Sequence, residues 1–169
     1  MKLTLRLILS LFIGITLVVT IFSLIQVNDE KKQLQADIER RSIILAESLK
    51  ESIVTLLETA QMERLNRLVE KFGNRERLKG VAVFDASGNI ISSNSFIKSH
   101  ILKTPVEVIN VLAEKVPRSK FIKIDKEKFY IYIVPIFSDS YEEKPLIGAL
   151  AIFQDASYID IRLKEMWKQ

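Results

Sequence analysis

Lys79-Gly80-Val81-Ala82-Val83-Phe84-Asp85-Ala86-Ser87-Gly88-Asn89-Ile90-Ile91-Ser92-Ser93-Asn94 is the stretch on which the fold turns. Residues 81–85 form a short apolar run, Ala86-Ser87-Gly88-Asn89 supplies turn formers, and residues 90–94 make a second run, so the segment reads as a β-hairpin. Asp85 and Asn89 flank Gly88 as side chains that bond their own backbone in turns, which assigns them an architectural rather than a catalytic role.

Forward of the hairpin, residues 95–103 show no clear period and read as a loop. Thr104-Pro105-Val106-Glu107 then offers an N-cap, a proline at the first helical position and an acid in the first turn. The helix runs to about Val116, with Val108, Ile109, Leu112 and Val116 as its buried stripe, and Pro117 ends it. Two strands follow, at residues 120–124 and 129–137, around the polar turn Asp125-Lys126-Glu127-Lys128. In the second strand Phe129, Ile131 and Ile133 point one way and Tyr130, Tyr132 and Val134 the other, so both faces must be covered. Residues 146–153 are nearly all apolar, which predicts a central strand. Residues 158–169 form an amphipathic helix with Ile159, Leu163 and Met166 on one side and Trp167 near its end.

Backward of the hairpin, residues 29–72 hold no glycine and no proline and carry apolar residues at helical intervals, which predicts one long helix. Leu34, Leu45 and Leu56 are eleven apart, as are Ile38, Leu49 and Ala60, a repeat that keeps one stripe on one side of a nearly straight helix. Ile53, Leu57, Leu65, Leu68, Val69 and Phe72 widen that stripe toward the C-terminal end, where it covers the domain. Nearer the N-terminus the narrower stripe, with Glu39, Arg40, Arg41, Glu47 and Lys50 beside it, resembles a seam between two parallel helices, and a homodimer is expected. Phe72-Gly73-Asn74 supplies the stop, with Gly73 expected in the left-handed conformation.

Residues 7–28, opening on Leu7 and closing on Asn28, carry no charge and are long enough to cross a membrane as a helix. A cleavable signal peptide is the alternative, but Ser23-Leu24-Ile25-Gln26-Val27-Asn28 places bulky aliphatics where a cleavage site needs small residues. Lys2 and Arg6 precede the run and opposite charges cancel after it. The positive-inside bias therefore puts the N-terminus in the cytoplasm and everything after Asn28 outside.

Composition narrows the function classes. Lys2 and Arg6 account for half of the net charge of +4, so no region is basic enough to point to nucleic acid. Cysteine is absent and His100 is the only histidine, which removes disulfides, thiolate chemistry and most metal and Ser-His-Asp arrangements. No phosphate loop, kinase signature or nucleophile elbow is present, so neither an enzyme nor a cofactor is expected. Lys115, Arg118, Lys120, Lys123, Lys126 and Lys128 read as solvated charge on a sheet edge.

The order of elements, α+β with an anchor, a long helix, a hairpin, a helix, three antiparallel strands and an exit helix, resembles the single Cache (PAS-like) extracytoplasmic sensor domains of bacterial receptors. Arg41-Ser42-Ile43-Ile44-Leu45-Ala46 and Arg75-Glu76-Arg77-Leu78-Lys79-Gly80-Val81-Ala82-Val83-Phe84-Asp85-Ala86-Ser87-Gly88 are similar to sensor regions that precede a HAMP domain, including some in proteins carrying a trehalose-6-phosphate synthase module. Phe153-Gln154-Asp155-Ala156-Ser157-Tyr158-Ile159 is similar to the point where those sensors turn back to the membrane. The resemblance divides the chain into a stub and anchor at 1–28, a signalling helix at 29–75, a sensor domain at 76–157 and an exit helix at 158–169. It implies a single-pass protein of the bacterial inner membrane that senses a ligand and signals through its long helix. A single-pass protein whose domain docks an envelope partner is the alternative. With no second span or HAMP domain in the sequence, a truncated receptor is the favoured expectation over a stand-alone protein. The resemblance further implies a cavity between the sheet and the segment after the hairpin, lined by some of Asn94, His100, Arg118, Tyr130 and Tyr132. Such donors suit a small carboxylate or phosphate. Each also has a structural reading, His100 and Arg118 as surface residues and the tyrosines as core rings.

Overall fold

The computed structural model describes residues 2–73, 77–101 and 103–166. The expected stop at Asn74, the similarity at Arg75 and Glu76 and the position of Trp167 lie outside the described residues. The elements are α1 (Lys2–Glu58), α2 (Met62–Phe72), β1 (Leu78–Asp85), β2 (Ile90–Ser93), α3 (Ser95–His100), α4 (Val106–Glu114), β3 (Arg118–Ile124), β4 (Glu127–Phe137), β5 (Leu146–Asp155) and α5 (Ser157–Met166). They fall into two compact units, residues 37–158 and residues 1–36 with 159–169.

The larger unit is built on a five-stranded antiparallel sheet of order β2-β1-β5-β4-β3. As expected, the apolar β5 sits at its centre. Alternation divides the side chains between two faces. Ala82 and Phe84 of β1, Ile131 and Ile133 of β4, and Ala149, Ala151 and Phe153 of β5 share one face with Ile97 of α3 and Val108, Val111 and Leu112 of α4. The opposite face carries Val81, Val83, Tyr130, Tyr132, Val134, Leu150 and Ile152, all buried. Ile38, Ser42, Ala46, Leu49 and Ile53 of α1 recur at helical spacing, are at most 3% exposed, and cover that second face. The core is thus two apolar layers, one on each side of the sheet.

The hairpin turn follows its expected chemistry. Asp85 Oδ1 accepts the N–H groups of Ser87 at 2.9 Å and Asn89 at 2.8 Å, while Gly88 adopts φ +85°. The β3–β4 turn is tighter than expected, with Glu127 and Lys128 inside β4. Asp125 and Lys126, at φ 47° and 74°, form a two-residue turn of the kind that matches strand twist.

Five helical expectations need correction. The single helix over 29–72 breaks after Glu58, with Ala60 at φ 53°, although no glycine or proline marks the spot. Tertiary anchors overrule local propensity there: the Glu58 carboxylate is held by the β4–β5 loop, and Leu65 and Val69 of α2 are buried against β1 and β2. Residues 95–100 form α3 rather than loop, because Ile97 is drawn fully into the core. Thr104 does not cap α4; its hydroxyl donates to the Gly88 carbonyl at 2.7 Å, and Pro105 takes the cap position. In α4 the buried residues are Val108, Val111 and Leu112, while Ile109 and Val116 are 53% and 55% exposed. Gly73 is right-handed at φ −66°, and its lack of a side chain serves packing instead, since a Cβ there would stand 2.2 Å from Asn94 Nδ2.

In the smaller unit, Leu11, Phe12, Ile15, Val18, Phe22 and Ile25 of α1 are exposed, which makes this the one described helix segment long and apolar enough to cross a membrane. Thr16 and Thr20 return their hydroxyls to the carbonyls of Phe12 and Thr16, both at 2.8 Å, so neither presents a bare hydroxyl. Arg162 of α5 lies 3.6 Å from Glu30 of α1.

Candidate functional site

An open groove of about 680 Å³ lies between the middle of α1 and the start of β1. Its α1 wall is Arg41, Ile44, Leu45 and Ser48, one helical face at i, i+3, i+4 and i+7. Leu78 and Gln154 form the floor and Arg77 the lip. Leu78 and Gln154 are cross-strand partners, and a register shift between Leu78 and Gly80 marks the start of β1. Gln154 continues the face of Leu150 and Ile152 but ends it with a carboxamide. That side chain is 6% exposed and makes no side-chain hydrogen bond among the described residues. Arg77 lies over the Tyr158 ring, its guanidinium carbon 3.9 Å from the centroid, and has no carboxylate partner among the described residues. Arg41 is paired with Asp37 at 3.0 Å, and Ser48 donates to the Leu45 carbonyl at 2.8 Å.

The five residues singled out from sequence do not converge on one cavity. Asn94 is fully buried, and its amide is used up by the backbone: Nδ2 donates to the Gly73 and Lys79 carbonyls at 3.2 and 2.9 Å, and Oδ1 accepts the Val81 N–H at 3.2 Å. It is a staple joining the end of α2 to β1. His100 stacks on Phe96 with centroids 4.4 Å apart, and its Nδ1 lies 2.9 Å from the Phe96 carbonyl oxygen, at the exposed end of α3. Arg118 pairs in register with Ile133, which places it on the α4 side of the sheet, where Nε donates to Glu114 at 3.0 Å. Next to it on that side Lys120 donates to Glu107 at 2.7 Å, and this bond holds the Glu107 carboxyl below its usual range against the opposing effect of burial.

Tyr130 and Tyr132 lie on the other face, beneath α1. Burial raises the pKa of both hydroxyls, and the Glu39 and Glu47 carboxylates add to the rise at Tyr132. Tyr130 Oη is buried and closes no hydrogen bond of good geometry; Ser119 is near enough to oppose its shift, no more. Tyr130 is the cross-strand partner of Gln154, so two polar groups stand side by side on this face. Sequence reasoning missed Gln154 and Arg77. The available signal was a polar residue closing an otherwise apolar strand; the groove above it depends on where α1 crosses, which no local pattern carries.

On the α3–α4 side, where the resemblance implies a cavity, Phe84, Ile97, Val108, Val111, Ile131, Ile133 and Phe153 are all fully buried in one apolar cluster. No group of three or more His, Asp or Glu side chains able to hold a metal occurs among the described residues.

No family model and no curated protein matches the chain. Solved structures do. The ligand-binding domain of the Pseudomonas aeruginosa PAO1 amino acid chemoreceptor PctC, in complex with GABA, aligns with 79% of this chain at TM-score 0.56 and 17% identity, and the chain spans 62% of it. A domain of a sensory box/GGDEF family protein from Vibrio parahaemolyticus aligns with 83% of this chain at TM-score 0.54 and 16% identity, and the chain spans 60% of it. At these identities the likeness is one of fold: this chain has a Cache/PAS-like α+β fold, with a five-stranded antiparallel sheet and a long N-terminal helix.

Proposed function

We propose that the chain is the extracytoplasmic, ligand-sensing input module of a membrane-anchored bacterial signalling protein, and that it transmits through α1. The observation that carries this reading is that one helix, Lys2–Glu58, contains both the exposed apolar segment suited to a bilayer and the buried stripe from Ile38 to Ile53 that forms one wall of the sensor core. A change in how that stripe packs is a change in the element that enters the membrane. A ligand shifts such an equilibrium only by its differential affinity for the two arrangements. The positive flank at Lys2 and Arg6 supports a cytoplasmic N-terminus in the inner membrane. A parallel homodimer through α1 belongs to the same proposal. Ile43, 39% exposed on α1 and not part of the groove wall, supports it.

One observation favours a second reading, in which the domain docks a partner in the envelope: the layer between the sheet and α3–α4 is filled by side chains. A thermal-shift screen of the full chain in lipid nanodiscs separates the two. Carboxylates, amino acids, sugars and phosphates form the panel. A ligand at a hundredfold excess over its Kd adds about 2.7 kcal/mol to the folded state, a shift of several degrees. A saturable shift supports sensing; a well-folded protein with no shift across the panel supports partner docking.

A further inference from the structure

We propose that the groove between α1 and the start of β1 binds a small aliphatic monocarboxylate, with Arg77 and the Gln154 carboxamide on the head group and Ile44, Leu45 and Leu78 along the chain. This site lies on the opposite face of the sheet from α3 and α4. It deepens the sensing reading and rests on that reading for its consequence in signalling, although not for binding itself.

The lining of the groove selects this chemistry. Its charged lining residues are both arginines, so the groove favours an anion. Arg77 is held by the Tyr158 ring through its face, and a guanidinium stacked in this way keeps its in-plane N–H groups for a planar acceptor such as a carboxylate. Gln154 is nine-tenths buried and makes no side-chain hydrogen bond among the described residues, so its amide is open to a partner in the groove. Ile44, 63% exposed, and Leu45, half-buried, give an apolar wall that an aliphatic chain covers. Among the described residues no carboxylate lines the groove, which disfavours amines and zwitterionic amino acids. Arg41 is already engaged by Asp37, which leaves Arg77 as the primary anchor. The volume lies in the range of small-ligand pockets.

The test is titration calorimetry of the full chain in lipid nanodiscs with hexanoate, corrected with empty nanodiscs, beside acetate and hexylammonium. Saturable hexanoate binding is expected, at least about tenfold tighter than acetate because the added methylenes are buried, with no saturable hexylammonium binding. Arg77→Gln and Gln154→Leu should each weaken hexanoate about tenfold or more. Ile44→Glu, at an exposed position where folding is not at risk, should do the same by setting a carboxylate against the ligand. Absence of saturable hexanoate binding to folded protein, equal binding of hexylammonium, or unchanged affinity in Ile44→Glu overturns the assignment. A hit of another chemical class in the thermal-shift panel, without hexanoate binding, overturns the groove assignment alone and leaves the input-module reading standing.

Discussion

The carboxylate of Glu58, the last residue of α1, accepts the backbone N–H of Asp139 at 2.9 Å, and so fastens the end of the helix to the β4–β5 loop. The Ser138 hydroxyl and the Ser140 N–H donate to the same oxygen. These bonds, the Ser138 hydroxyl foremost, hold the Glu58 pKa below its usual value. A carboxyl whose pKa is lowered on folding contributes stability above its unfolded pKa and loses that contribution as pH falls through its folded pKa. Glu58→Gln should therefore lower Tm at neutral pH, and the gap to wild type should close as pH falls below the ordinary carboxylate range. A gap that persists in acid would contradict the clamp.

Asn94 and Gly73 form one unit. Asn94→Ala leaves two carbonyls and one N–H short of a partner and should cost about 2–4 kcal/mol. Gly73→Ala drives a Cβ into the Asn94 side chain and should cost about 1–3 kcal/mol. With Asn94 truncated to alanine the contacts with Nδ2 and Cγ are gone and only the Cβ of residue 94 still crowds the new methyl, so the double variant should be more stable than the sum of the singles by at least about 0.5 kcal/mol. Denaturant unfolding of the four proteins measures this coupling.

Much of the architecture was legible because the strands carry strong local signals. The hairpin at 79–94 has apolar runs around Ala86-Ser87-Gly88-Asn89, and β5 is apolar on both faces. What was not legible depends on contacts distant in sequence. Nothing near Ala60 breaks a helix; the break follows from Glu58 and Leu65 meeting different parts of the sheet. The alternation in β4 had already separated Tyr130 and Tyr132 from Ile131 and Ile133. Which of those faces α3 and α4 cover is a tertiary fact, and it decides that the tyrosines lie apart from Arg118 and His100.

Tyr130 makes that separation measurable. Its hydroxyl is buried without a good partner, so Tyr130→Phe removes an unmet polar group and should stabilise the fold by up to about 1 kcal/mol. Tyr130→Ala, which empties the ring's space, should cost about 3–5 kcal/mol. Thermal unfolding of both variants checks the pair of signs.

The β3–β4 turn carries strain of a simple kind. Lys126 sits at φ 74° with a full side chain, a conformation that glycine adopts freely and that other residues reach at about 1–2 kcal/mol. Lys126→Gly converts the turn to Asp-Gly, the pairing such two-residue turns favour. A gain of about 1 kcal/mol in stability is expected from denaturant titration.

Transmission through α1 is measured by the distance between spin labels. The chain has no native cysteine, so Glu51→Cys on α1 and Lys98→Cys on α3, both exposed, form a clean pair. A saturating ligand identified by its thermal shift is expected to redistribute the α1–α3 distance between two populations. An identical distance distribution with and without bound ligand would contradict transmission through α1.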